Sequence, residues 1–556
     1  MKKLFTIIVA LMPLMAMAQS MNVNVDSVGT LAKQLPDSVR FKVADLKVTG
    51  PLNGTDLKLL SQIVTRTKTN KKFADECLVT SIDLSEATIV EGKDGMKTEN
   101  NALPNSLFSG AKSLVKATLP NNTISIGRNC FDNCSALKDI TIPETVVTIG
   151  AKAFSDCTSL VDLRLPEVLT KIENEAFEGC LSLTAIELPA SVVEMGNNVF
   201  TGCKSLTKVT INGNLKAIGT ATFMDCESLA EITVPESVRS IGTNAFRGCK
   251  SLTTITLGDE IEDIGNSAFE KCSTLNNIGI NKVEKIGSNA FQDCSNLESL
   301  ELEGVKKMGN GAFQNCISLK SLSIQGALDE IGMNTFANCS NLNSITLPSS
   351  VKKIESRAFM DCKNLAEIEL PSSLTKINDH VFENCTVLDS VDIKGFIDEI
   401  EKDMFRNCHN LQSVSIPVSV KKIGAEAFQE CTALRTISLP VTLLNIGNSA
   451  FEKCSALQSI VIPAAVKEIG SDAFRECSML VSVVLPVGLK EIGGSAFAKC
   501  VSLREVNIKA PQPPKMSKST FKDVVLGACK FYIPKGFKNL YMQDKQWQKI
   551  PQILEQ

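Results

Sequence analysis

Twenty cysteines and two histidines carry the most reactive side chains of this 556-residue chain, and their spacing decides what chemistry is open to them. Seventeen of the cysteines recur at intervals of 22 or 23 residues: Cys134, Cys157, Cys180, Cys203, Cys226, Cys249, Cys272, Cys294, Cys316, Cys339, Cys362, Cys385, Cys408, Cys431, Cys454, Cys477 and Cys500. In an exported chain so many cysteines would ordinarily mean disulfides. Stacked repeats argue otherwise, because equivalent Cβ atoms lie about 4.8 Å apart and point in parallel, whereas a disulfide wants about 3.8 Å and converging bonds. The column therefore reads as small, buried, apolar side chains. One cysteine per repeat offers no tetrahedral zinc site either. Cys77, Cys130 and Cys529 lie outside the column, and spacing alone does not pair them.

His380 and His409 fall at variable, exposed positions of different repeats, which argues against a shared metal or general-base role. The chain has no G-x-S-x-G, H-E-x-x-H or phosphate-cradling glycine motif in a strand-to-helix context. Carboxylates are plentiful, but a glycosidase pair needs a cleft that positions it, and almost every aromatic is a core phenylalanine. These residues point away from an enzyme and imply no cofactor and no metal. With 58 Lys plus Arg against 61 Asp plus Glu, charge favours neither nucleic acid nor an anionic membrane.

The elements that must position any site follow from the phenylalanines. Nineteen of 25 form one ladder, from Phe108 through Phe131, Phe154, Phe177, Phe200, Phe223, Phe246 and Phe269 at intervals of 23, then Phe291 and Phe313 at 22, and onward to Phe521. Only a tandem array produces such a ladder. Around each Phe the unit reads I-G-x-x-A-F-x-x-C-x-x-L-x-x-I-x-L-P-x-S-V, as in Ile241-Gly242, Ala245-Phe246, Cys249, Leu252, Ile255 and Leu257. L-x-x-I-x-L ends in a period-two alternation, so it predicts one short parallel strand per repeat. The proline after it removes a backbone donor and turns the corner. V-x-x-I-G predicts a shorter strand on the opposite wall, and A-F-x-x-C a single helical or 3₁₀ turn.

This unit resembles the BspA-like leucine-rich repeats of bacterial surface and secreted proteins over nearly three quarters of the chain. The resemblance implies a right-handed solenoid used for adhesion or protein recognition. The fold class expected is thus an α/β leucine-rich-repeat solenoid, curved and elongated, made mostly of short parallel strands in one continuous sheet.

Four regions are expected. Residues 1–18, with Lys2-Lys3, an apolar run and Ala16-Met17-Ala18, read as a cleaved signal peptide. Residues 19–102 read as an N-terminal cap with two longer repeats, a helix capped by Asp56 and an exposed loop from Glu91 to Asn101. Residues 103–508 hold the tandem repeats, whose corners between Ile211 and Ile324 change character, and residues 509–556 form a C-terminal cap. That cap is expected to contain a strand from Lys530 to Pro534 and a helix from Lys538 to Gln548, with Tyr532, Tyr541 and Trp547 packing inside it. No segment of the mature chain is apolar enough to span a bilayer, so the protein is expected to be secreted, periplasmic or on the outer surface of a bacterium.

Function is left to the outward row of the strand face: Ser299, Ser321, Ser344, Glu367, Ser390 and Ser413 before the central apolar residue, and Glu301, Thr346, Glu369 and Asp392 after it. Acidic spots fall at Glu298/Glu301, Glu367/Glu369 and Asp389/Asp392. The opposite wall carries Lys352, Lys353, Lys376, Lys421, Lys422, Lys467 and Lys490. Serine and threonine also serve simply to solubilise a sheet. As a recognition surface, the row would take a protein, an extracellular-matrix component or a host-surface ligand, and no nucleic acid. A structural scaffold of the envelope is the alternative, ahead of a glycan- or peptide-acting enzyme.

Overall fold

The computed structural model describes residues 19–66 and 78–556; the signal sequence expected over residues 1–18, and Cys77, lie outside the described residues. Most coils of the tandem region carry two short parallel strands, joined by a corner that is often a proline and by a turn built around the phenylalanine. On the first wall Glu231–Thr233 pairs in parallel with Thr254–Thr256, Ile232 opposite Ile255, and the flanking Glu231 and Thr233 are exposed. On the second wall Ser240–Ile241, Asp263–Ile264 and Lys285–Ile286 pair in register, one coil after another. At the corner the amide three residues on closes back onto the proline carbonyl, as from Val238 to Pro235 at 3.0 Å.

The phenylalanine segment is not the helical or 3₁₀ turn expected. Left-handed residues stand two before and two after the ring: Asn244 (φ 56°) and Gly248 (φ 74°) around Phe246, Asn334 (φ 56°) and Asn338 (φ 60°) around Phe336. These reversals turn alternate amides toward the neighbouring coil, whereas a right-handed turn would aim them along its own axis. Asn244, Phe246 and Gly248 donate to the carbonyls of Asn266, Ala268 and Glu270 at 2.9, 2.8 and 2.8 Å. In this segment every such bond runs from one coil to the next in sequence.

Inside this backbone ladder the rings stack, as for Phe246 on Phe269 with centroids 5.3 Å apart and planes 3° from parallel. Each column cysteine is buried beside them. Its thiol donates to the carbonyl of the preceding coil's phenylalanine, as from Cys249 to Phe223 and Cys272 to Phe246, both at 3.1 Å. The column is therefore more than apolar filler: it satisfies a carbonyl in a space too small for most polar side chains. Cys130 and Cys529 are also free and buried.

The chain divides into two units, Met1–Met195 and Gly196–Gln556. In the first, the strand Gln19–Asn24 pairs with Val43–Leu52, which pairs with Ser81–Asp83. The helix between them, Gly54–Val64, is capped by Asn53 rather than by Asp56. Asp56 instead sits buried at the third helical position, where its carboxylate accepts from the amides of Asn53, Gly29 and Leu31 at 3.2, 2.6 and 3.0 Å. Three amides from two chain segments are thereby tied to one side chain, a stronger demand than capping alone. The loop expected over residues 91–101 is pinned by an antiparallel bridge between Gly92 and Thr98 and by the Met96 amide on the Gly54 carbonyl at 3.0 Å.

In the second unit Phe521 stacks on Phe497 and meets Phe531 edge-on. The strand Lys530–Ile533 forms, but the helix is only Lys538–Gln543, and Trp547 belongs to a separate 3₁₀ turn, Trp547–Lys549. A last strand, Ile553–Glu555, pairs with Lys530–Ile533. Tyr541 and Trp547 are buried and donate to the carbonyls of Ala510 and Pro514 at 2.8 and 2.7 Å, which makes them cap packing. The first wall, expected as one continuous sheet, falls into shorter runs. Its strands have two to four residues, so a slight tilt between coils suffices to break the ladder. One interruption lies at residues 367–370, where the ladder shrinks to the single bridge Glu367↔Ser390.

Candidate functional site

The strand alternation places ten of the twelve predicted face residues outward, because the intervening Leu300, Leu322, Ile345, Ile368, Val391 and Val414 are buried between the walls; Glu298 and Asp389 stand just before the strands Ser299–Leu302 and Ser390–Asp392. Glu298, Ser299, Glu301, Ser321, Ser344, Thr346, Glu367, Glu369, Asp389, Ser390, Asp392 and Ser413 are each exposed. Register aligns them in columns: Ser299 with Ser321 and Ser344, Ser390 with Ser413, and Asp392 with Ser415.

Six of the twelve lie together around residues 367–370. A groove of about 780 Å³ opens there, lined among others by Ser344, Thr346, Glu367, Glu369, Ser390 and Asp392. The bridge Glu367↔Ser390 sets Glu369 opposite Asp392 in the same register. Glu369 shares its charge with Lys394, 3.1 Å away, while Glu367 and Asp392 form no ion pair among the described residues. Glu298, Ser299, Glu301 and Ser321 lie on earlier coils of the same face and are not gathered into the groove. Glu298 pairs with Lys320 at 3.0 Å, and Asp389 accepts from Gln412. Mutual repulsion of the carboxylates at 367, 369 and 392 fits the splaying of this coil, since unlike pairs on neighbouring strands attract and like pairs repel.

The lysines of the opposite wall do not make a uniformly basic face. Lys353 is paired with Glu355 and Lys422 with Glu399, and the same columns contain Glu468 and Glu491. The Glu399 carboxylate beside Lys422 raises that ammonium above its ordinary range.

His380 departs from its expected exposed position: its side chain is only 14% exposed, whereas His409 is exposed. The His380 ring lies among carboxylates, Nδ1 2.7 Å from Glu383 and Nε2 3.6 and 3.7 Å from Asp403 and Asp379. Asp403 is itself buried and also meets Lys402 at 3.2 Å and Arg406 at 3.6 Å. Both ring nitrogens face anions, and the charges form a local network between coils. The glycine column of the repeat lapses in the same coils, where Glu355, Asn378 and Glu401 replace glycine. In most other coils that column is glycine, and a Cβ on Gly447 would lie 2.6 Å from backbone atoms of Gly424 and Ala425. Burial, and Glu399 nearby, raise the Glu401 carboxyl, partly offset by Lys376 and Lys422.

The cysteine column has no nucleophile to offer. Burial pushes the Cys339 and Cys500 thiols up to about 12 and Cys529 up to about 11, so the thiolate is scarce near neutrality. No helix among the described residues is long and apolar enough to cross a membrane.

The family description "BspA type leucine-rich repeat region" matches residues 101–230, 216–343, 306–432 and 398–526, more than half of the chain. Among solved structures, a leucine-rich repeat protein from Bacteroides ovatus is 24% identical, with 80% of this chain and 90% of that one covered and a TM-score of 0.35. A leucine-rich cell surface protein from Faecalibacterium prausnitzii is 22% identical, with 76% and 86% covered and a TM-score of 0.24. The pneumococcal vaccine antigen PcpA is 16% identical, with 84% and 85% covered and a TM-score of 0.26. No curated protein matches the chain.

Proposed function

The chain belongs to the BspA-type leucine-rich repeat family, and from that premise we propose that it is an exported, non-catalytic recognition protein whose strand face holds a protein or matrix partner, in adhesion to another surface. The observation that carries this reading is the groove at the splayed coil. Glu367 and Asp392, which form no ion pair among the described residues, share it with a third carboxylate, Glu369, and with the hydroxyls of Ser344, Thr346 and Ser390. An extended segment rich in lysine or arginine matches that chemistry: its cations meet the carboxylates and its backbone meets the hydroxyls. Export is supported by the sequence of residues 1–18, and the location that follows is the periplasm, the outer surface or the medium.

Binding of a lysine-rich extended peptide and of a panel of extracellular-matrix proteins to the full chain tests the reading. Charge reversal of Glu367, Glu369 and Asp392 together should weaken affinity about tenfold or more, since each exposed pair contributes roughly 0.2–1 kcal/mol and reversal adds repulsion. The loss should be larger at low salt. Unchanged affinity in the triple variant refutes the assignment.

A further inference from the structure

A second surface lies outside the groove, at the proline corners of four consecutive coils. The second-wall register Lys422↔Asn445↔Glu468↔Glu491 places the residues four positions earlier one above another: Val418, Val441, Ala464 and Val487. Where other coils have Glu236, Asp259, Ser349 or Ser372 at this position, these four are apolar. They are not buried by the fold: Val418, Val441 and Val487 are 74%, 81% and 58% exposed. Phe396, one position over in the preceding coil, is 76% exposed, and Val461 of the adjoining strand is 63% exposed. Phe396 is thus set apart from the buried phenylalanine ladder. A soluble surface rarely lines up large apolar side chains in this way without a use.

Charge says what would cover them. One position before the second-wall register stand Lys421, Leu444, Lys467 and Lys490, directly alongside the apolar column. None of these three lysines forms an ion pair among the described residues, whereas Lys422 and Lys515, close by on the same wall, are paired with Glu399 and Glu491. These three ammonium groups outnumber the exposed acids beside them that form no ion pair among the described residues, Asp398 and Glu468, and an apolar ridge with that cationic margin is complementary to a layer that is apolar inside and anionic at its edge. Five side chains fall well short of the roughly 800 Å² per partner of a stable protein interface, which argues against a second copy. A protruding ridge would also need a matching furrow in a rigid partner, while fluid lipid conforms to it.

We propose that the corner ridge of Phe396, Val418, Val441 and Val487, with Lys421, Lys467 and Lys490, docks the protein onto an anionic lipid surface. The apolar side chains enter the interface and the lysines lie at the level of the lipid phosphates. This surface does not rest on the groove at Glu367, and the two can act together.

Flotation of the full chain with vesicles of phosphatidylglycerol and phosphatidylcholine, against phosphatidylcholine alone, tests it. The wild type should float with the anionic vesicles and weakly with the neutral ones. Each of Lys421→Gln, Lys467→Gln and Lys490→Gln should lower partitioning roughly fivefold, and Val441→Asp combined with Phe396→Ser about tenfold or more. All are exposed positions, and unchanged melting curves confirm that the variants fold. The variant reversed at Glu367, Glu369 and Asp392 should float like the wild type, so the groove and the ridge fail separately. The proposal is overturned if the wild type does not float, or if the ridge variants float equally well. It is also overturned if sedimentation shows a dimer that Val441→Asp dissolves, since a second copy would then cover the ridge.

Discussion

Treating the folded protein at about pH 8 with an aromatic disulfide reagent should leave the cysteine column unlabelled for as long as the coils stay closed. The magnitude has two parts. An ordinary thiol titrating at 9.0 is about one-tenth thiolate at that pH; Cys339, pushed up to about 12, is thiolate about once in 10⁴. Protonation alone therefore slows reaction about a thousandfold. Access slows it further, because Cys339 is fully buried with its Sγ 3.2 Å from the Phe313 carbonyl, and a reagent the size of a nitrophenyl ring enters only after a coil opens. Labelling should be followed by absorbance and by mass spectrometry of the digested protein, in buffer and in guanidinium. In denaturant all 20 cysteines should react. In buffer Cys529, pushed up only to about 11 and outside the column, should precede Cys339 and its neighbours. Rapid labelling of interior column cysteines in the folded protein, or disulfides linking adjacent coils, would refute both the packing and the protonation argument.

Phe246→Ala should cost about 3–5 kcal/mol in urea unfolding of the full chain, toward the upper end, because burial and two stacked neighbours are lost together. The ring is fully buried, with Phe223 at 5.4 Å and Phe269 at 5.3 Å; a cost under about 1 kcal/mol would contradict the stacked column. Glu401→Gln should stabilise the protein at neutral pH. The folded state raises this carboxyl above its ordinary value of 4.5, so the folded chain holds the proton more tightly, and stability falls as pH rises through that interval. The gain from glutamine should appear above about pH 4.5 and vanish below it, as read from melting temperature against pH.

The repeat was legible in the sequence because each coil makes the same two demands of its interior: a ring of one size and a small side chain three residues later. Both are stringent enough that nineteen Phe and seventeen Cys hold their positions. The left-handed pair around each ring was hidden, because stacking fixes the backbone and lets Asn244, Lys152, Glu175, Arg357, His380 and Asp403 all adopt φ between 55 and 60°. Hydropathy gives no sign of this, and the excess of Asn and Asp there is its only trace. His380 looked exposed because polar residues fill its position in most coils, yet that position is half-buried along the array, and Asp403, its equivalent in the next coil, lies 3.6 Å from the ring. The face residues were readable from alternation alone. That six of them share a groove was not, since alternation says which way a side chain faces and not where the face is concave.

Around the phenylalanines alternate amides donate to the next coil, as from Phe405 to Ala427 and Phe428 to Ala450, both at 2.8 Å, while on the second wall the amides donate to the coil before, as from Gly424 to Ile400 at 2.7 Å and Gly447 to Ile423 at 2.8 Å. Each coil thus hands bonds out in both directions. An end face left bare would carry spare donors along one edge and spare acceptors along another, so a cap has to answer both.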